Sequence, residues 1–130
     1  MERFRRQQID VKRLPSQVLE KWSSAVLNEG FVPFPKKLVR CLCRLFIGDN
    51  AMEDLAAILA IVDFKRPNLS RMPSADYLSF LAGLDLDEFN AALRRLEQKG
   101  YIAVKLDGEG LEISIDGLLD AIQKQTAPVV

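Results

Sequence analysis

Asn90, Arg94, Arg95 and Gln98 stand close together in "LDLDEFNAALRRLEQKGYIAVK", residues 84–105. These side-chain types are suited to nucleic acid: an amide can bond adenine in two places, and a guanidinium can bond guanine or a phosphate. On a helix, Phe89, Ala92, Leu93 and Leu96 share one face, and Asp87, Asn90, Ala91, Arg94 and Gln98 lie on or beside the opposite one. The same polar face also suits plain hydration, with Arg94 and Arg95 pairing to neighbouring acids such as Asp87 and Glu97. A second basic set, Lys36, Lys37, Arg40 and Arg44, falls within an arc of roughly 100° at 3.6 residues per turn. Such a stripe can contact phosphates, dock on an acidic face of a second copy, or simply be solvated.

Catalysis finds little support. The chain has no histidine, so the commonest general base and metal ligand are missing. Its two cysteines, Cys41 and Cys43, are two residues apart, which on a helix points them to different faces, and two thiolates alone do not make a zinc site. There is no glycine-rich phosphate loop and no cluster of metal ligands. No active site, metal or cofactor is therefore expected, and the protein is not expected to be an enzyme.

The acids near the start of the 84–105 helix have a local use. Asp85 followed by Glu88 forms a capping box, and carboxylates in a first helical turn favourably meet the helix dipole. They stand where a DNA-reading helix would approach phosphates, which works against DNA contact there. The strands that follow offer Lys105 but also Asp107, Glu109 and Glu112.

The 130 residues are 48% hydrophobic and 28% charged, the composition of an ordinary folded domain. A net charge of +0 hides a split. Residues 1–71 hold 13 Lys and Arg against 8 Asp and Glu, and residues 72–130 hold 5 against 10, so the two parts carry +5 and −5. Complementary charge of this kind favours self-association to a dimer or larger oligomer. No apolar run approaches the roughly 20 residues of a membrane span, and the basic start lacks the apolar stretch of a secretory signal, so no membrane partner and a cytoplasmic location are expected.

Near the N-terminus, Ser16 can cap a helix carrying Val18, Leu19, Trp22, Val26 and Leu27, ending near residues 28–30. A helix starting at about Pro35 places Leu38, Val39, Leu42, Leu45 and Phe46 inward. The next, about Ala51 to Asp63, places Met52, Leu55, Ala56, Leu59 and Val62 inward. "FKRPNLSRMP" reads as a flexible connection, and Ser74 and Gly83 bracket a short helix with Tyr77, Leu78 and Leu81 as its apolar set. After Gly100 the period changes: "YIAVKL" and "LEISI" form a hairpin across residues 107–110. Asp116 can then cap a last helix with Leu118, Leu119 and Ile122. The expected organisation is a basic flexible arm over residues 1–15, one mainly α domain with a small two-stranded hairpin over 16–125, and a frayed tail over 126–130.

A short helix, a tight turn, a second helix and a hairpin make "PSADYLSFLAGLDLDEFNAALRRLEQKGYIAV" resemble a winged helix-turn-helix. "LEQKGYI" is similar to that family's helix-to-wing junction, and "LDGEGLE" corresponds to a wing tip. Over residues 30–123, "GFVPFPKKLVRCLCRLFIGDNAMEDLAAILAIV" and "LEISIDGLLDAIQK" add a resemblance to the N-terminal domain of DnaD-like bacterial replication proteins. That resemblance implies a winged helix with extra N- and C-terminal helices, self-association, and a part in assembling the primosome. The family's second, single-strand-binding domain has no counterpart in this sequence. The expected function is a DNA-binding or DNA-associated module of replication initiation, with Asn90, Arg94, Arg95, Gln98, Lys105, Lys36, Lys37, Arg40 and Arg44 as candidate contacts. DNA contact would be modest and salt-sensitive, and replication or transcription proteins are further candidate partners. The alternatives are a sequence-specific transcriptional regulator and a protein-interaction module on the same scaffold.

Overall fold

The computed structural model of the chain describes residue 4 and residues 8–64, 71–107 and 110–126, which fall into two units divided between Pro33 and Phe34. The expected loop residues 65–70, the hairpin tip at 108–109 and the tail at 127–130 lie outside the described residues. The described chain is mainly helical with a small antiparallel sheet, and none of its helices is long and apolar enough to cross a membrane.

In the first unit, a 3-10 turn at Val11–Arg13 is followed by α1 (Ser16–Lys21) and α2 (Ser24–Leu27). The single helix expected here is two. Trp22 is extended, at φ −125° and ψ 148°, and the Ser23 hydroxyl accepts the Val26 N–H at 3.3 Å, so a new N-cap forms inside the expected helix. Ser16, expected as a cap, is instead the first helical residue, with Pro15 ahead of it. Trp22 and Val26 are exposed, and Leu27 is buried.

The second unit runs α3 (Lys36–Leu45), α4 (Ala51–Phe64), β1 (Arg71–Met72), α5 (Ala75–Ala82), α6 (Leu86–Gln98), β2 (Ala103–Asp107), β3 (Gly110–Ser114) and α7 (Asp116–Thr126). The strand order is β1-β3-β2, so the expected two-stranded hairpin gains a third strand. Two residues are too few to show alternation, which hid β1 in an otherwise polar connection. Arg71 faces Glu112 and Met72 faces Leu111, while β2 pairs Lys105 with Glu112 and Leu106 with Leu111. Directly opposed residues share a face, so Met72, Leu111 and Leu106 lie on one side of the sheet and Arg71, Glu112 and Lys105 on the other.

The core is built from Leu38, Cys41 and Leu45 of α3, Ile58 and Ile61 of α4, and Leu78 of α5. Phe89, Ala92, Leu93 and Leu96 of α6 join it on the expected face, with Ile113 of the sheet and Leu118 and Ile122 of α7. On α3 and α7 one expected inward residue each is exposed: Val39, whose place on α3 is taken by Cys41, and Leu119. Local signals hold at α5, where Ser74 Oγ accepts the Tyr77 N–H at 3.2 Å and Gly83 ends the helix at φ 72°. At α6, Asp85 Oδ1 accepts the Glu88 N–H at 2.8 Å and Glu88 Oε1 accepts the Asp85 N–H at 3.1 Å, completing the capping box.

The junction after α6 is close-packed. Gly117 faces the Gly100 backbone so closely that a Cβ there would collide with the Gly100 carbonyl oxygen. Leu118 N–H donates to the Tyr101 carbonyl at 2.8 Å, and the Tyr101 hydroxyl donates to the Leu45 carbonyl at 2.9 Å. Tyr101 thus ties the start of the sheet to the end of α3.

α4 differs most from expectation. Met52, expected inward, is 77% exposed, and the buried residues are Asp54, Ala57, Ile58, Ala60 and Ile61. The sequence "AMEDLAAILAIVDF" is apolar on nearly every side, so apolar spacing does not fix its rotation. Asp54 does. Its side chain is 1% exposed, and its Oδ1 accepts the Arg95 Nε–H at 2.9 Å. Arg95 Nη2 lies 2.8 Å from the same oxygen without hydrogen-bond alignment, and Lys99 Nζ lies 3.8 Å from Oδ2. Glu53 adds a contact at 3.6 Å to Arg95.

Removing one partner of a buried ion pair leaves the other uncompensated, at a cost of about 3–5 kcal/mol. Arg95→Met is expected to destabilise by that amount in urea unfolding, and Asp54→Leu with Arg95→Met to recover most of it; equal losses in both variants would refute the assignment. A second expectation concerns Tyr101, whose hydroxyl is pushed above its ordinary value of 10.0, mainly by burial and further by the nearby Cys41 thiol. The fold therefore holds the phenol proton more tightly than the unfolded chain. This contribution is complete below pH 10.0 and is lost as pH rises through the folded-state value. The stability gap between wild type and Tyr101→Phe should narrow at alkaline pH in parallel urea titrations.

Candidate functional site

The site begins with the division of α6 into flanks. Arg95 and Lys99 lie on the flank that meets α4, where the ion pair with Asp54 holds the helix. Arg95 is thus drawn away from the other candidate contacts on α6. On the opposite flank, Asn90, Leu93, Arg94 and Glu97 follow one another at three- and four-residue spacing and line one wall of a groove of about 540 Å³. The capping box fixes where α6 starts, and burial of Phe89, Ala92 and Leu96 fixes its rotation.

The hairpin supplies the facing wall through Val104 and Leu106 of β2 and Leu111 of β3, and the N-terminal end of α5 closes one side with Ser74 and Ala75. The groove surface is largely apolar. Leu106 is the most outlying part: it lies on the sheet's apolar face yet is 80% exposed, beyond the cover of α6. Glu97 binds the two walls together, its Oε2 accepting the Val104 N–H at 3.2 Å.

Of the candidates on α6, Asn90 and Arg94 therefore meet in the groove, Asn90 half-buried and Arg94 exposed. Gln98 is exposed outside it. Lys105 is exposed on the opposite face of β2 from Val104 and Leu106. Lys36, Lys37, Arg40 and Arg44 are all exposed on α3, which packs against α7, and they form a separate stripe outside the groove. There Arg44 Nη2 donates to the Arg40 carbonyl at 3.3 Å.

The apolar floor was not among the sequence candidates. Its signal was present in the alternation of Val104 and Leu106 and in the position of Leu93 between Asn90 and Arg94. What sequence alone lacks is the register that puts Leu106 opposite Leu111. Among the described residues no group of three or more His, Cys, Asp and Glu could hold a metal ion. Cys41 is buried, with its thiol against the Lys37 carbonyl at 3.1 Å, and Cys43 is exposed.

No protein-family model matches the chain, and a search of curated proteins finds no match.

The Glu97 contact has a direct readout. In hydrogen exchange followed by NMR, Glu97→Ala should speed exchange at the Val104 amide by about tenfold or less, in keeping with the roughly 1 kcal/mol of one hydrogen bond. The Leu111 and Ile113 amides should be unchanged. Uniform acceleration across the hairpin would mean that Glu97 supports the whole sheet instead of this edge.

Proposed function

We propose that the chain is a winged-helix DNA-binding or DNA-associated module of the kind used in bacterial replication initiation, as in DnaD-like proteins, acting in the cytoplasm as an oligomer. The observation that carries the proposal is the order α4-β1-α5-α6-β2-β3, with β1 joined to the hairpin through β3. A winged helix follows this order; on that reading α6 would be the recognition helix, and Asn90 and the exposed Arg94 and Gln98 lie along it. The third strand strengthens the likeness beyond what the hairpin alone provided.

Binding would be chiefly electrostatic. Asp85 and Glu88 are committed to each other in the capping box, while Asp87 remains exposed near the N-terminal end of α6. A duplex would therefore meet repulsion at that end and attraction from Arg94, Lys105 and the α3 stripe. Asn90 and Gln98 are the residues suited to base edges. The +5 and −5 parts of the sequence favour pairing between copies, which would bring more cations to one nucleic acid.

The test is a gel-shift series over single- and double-stranded DNA at graded salt. The expected log-log slope for duplex is about −0.9 per phosphate neutralised, and Arg94→Ala should flatten it by about one such step. Joint replacement of Lys36, Lys37, Arg40 and Arg44 by Ala should weaken binding to all sequences alike. No detectable binding to either strand form at low salt would overturn the proposal.

A further inference from the structure

We propose that the groove between α6 and the hairpin docks an extended peptide, which pairs its backbone with the open edge of β2 at Leu106, inserts an apolar side chain, and sets an acidic side chain against Arg94. The proposal does not depend on DNA binding by the chain.

The backbone geometry comes first. With strand order β1-β3-β2, β2 has β3 on one side and no strand on the other among the described residues. The Val104 N–H points to that open side, because it donates to Glu97. Along a strand the direction of backbone polar groups repeats every second residue, so the N–H and C=O of Leu106 point the same way. Glu97 occupies the edge at Val104, and among the described residues nothing pairs with that edge at Leu106. An added strand gains two main-chain hydrogen bonds there, as in other cases of strand addition.

The side chains specify what the strand should carry. Leu106 is 80% exposed although its cross-strand partner Leu111 is buried, so an apolar side chain laid beside Leu106 and the half-buried Val104 would cover surface that the fold leaves wet. Arg94, on the rim, has no carboxylate partner among the described residues and sits one helical turn from Asn90. An aspartate or glutamate could receive a guanidinium fork from Arg94 and an amide hydrogen bond from Asn90. A nucleic-acid backbone answers the Arg94 charge but has nothing to place on the apolar floor. Peptide and DNA would therefore share only Arg94 and Asn90.

The test is selection of random dodecapeptides displayed on phage against the immobilised full chain, followed by titration of synthetic copies of the enriched peptides with amide NMR. The expected peptides combine an aliphatic or aromatic residue with a nearby Asp or Glu, and they shift the Leu106 amide more than the Val104 amide. Leu106→Lys should weaken them at least tenfold, and Arg94→Glu should redirect selection toward Lys and Arg. Both positions are exposed, and thermal melting checks that each variant remains folded. Should Leu106→Lys unfold, Leu106→Thr keeps a strand-forming residue and serves the same purpose. The proposal fails if nothing is enriched, if enriched peptides bind both variants unchanged, or if only duplex DNA perturbs the Leu106 amide.

Discussion

One buried carboxylate determines how the second unit is assembled. Asp54 lies on a helix whose apolar residues run nearly all the way round, and such a helix could bury any of several faces at similar gain. A charge that must be removed from water breaks that degeneracy, because only one rotation brings it to Arg95. Net stabilisation is not required of the pair; its effect is to make the alternatives much worse. Once α4 is turned this way, Arg95 and Lys99 fix one flank of α6, and the other flank is left for Asn90 and Arg94.

Elements set by local chemistry were legible in the sequence. The start of α6 follows from Asp85 and Glu88, that of α5 from Ser74, and the end of α5 from Gly83, since each signal is satisfied within a few residues. Strong amphipathicity settled the core face of α6 as well. What was hidden depended on distant partners or on segments too short to show a period. The rotation of α4 needed Arg95, which is 41 residues away. β1 has two residues, and α1 ends early because Ser23 supplies a second cap.

The candidate contacts divide for the same reason. Asn90 and Arg94 were recognisable from residue type and helical spacing, and the structure brings them into one groove. Arg95 has the same side chain one residue later, but 100° of rotation carries it to the flank where Asp54 waits. Adjacent arginines thus hold different tasks, one joining helices and one facing outward. The α3 stripe needed no distant partner to be read, and its cations remain at the surface.

The unfinished edge of β2 also bears on how the protein behaves when concentrated. An exposed strand edge beside a large apolar side chain can pair with the same edge of a second molecule and start a growing stack. Among the described residues the opening is confined to the neighbourhood of one residue: Glu97 blocks the strand at Val104, and Lys105 places a charge beside Leu106. The strand itself spans five residues. A Glu97 substitution would lengthen the opening by one pair of main-chain groups, so the side chain that ties helix to hairpin also shortens the edge that a second molecule could pair with.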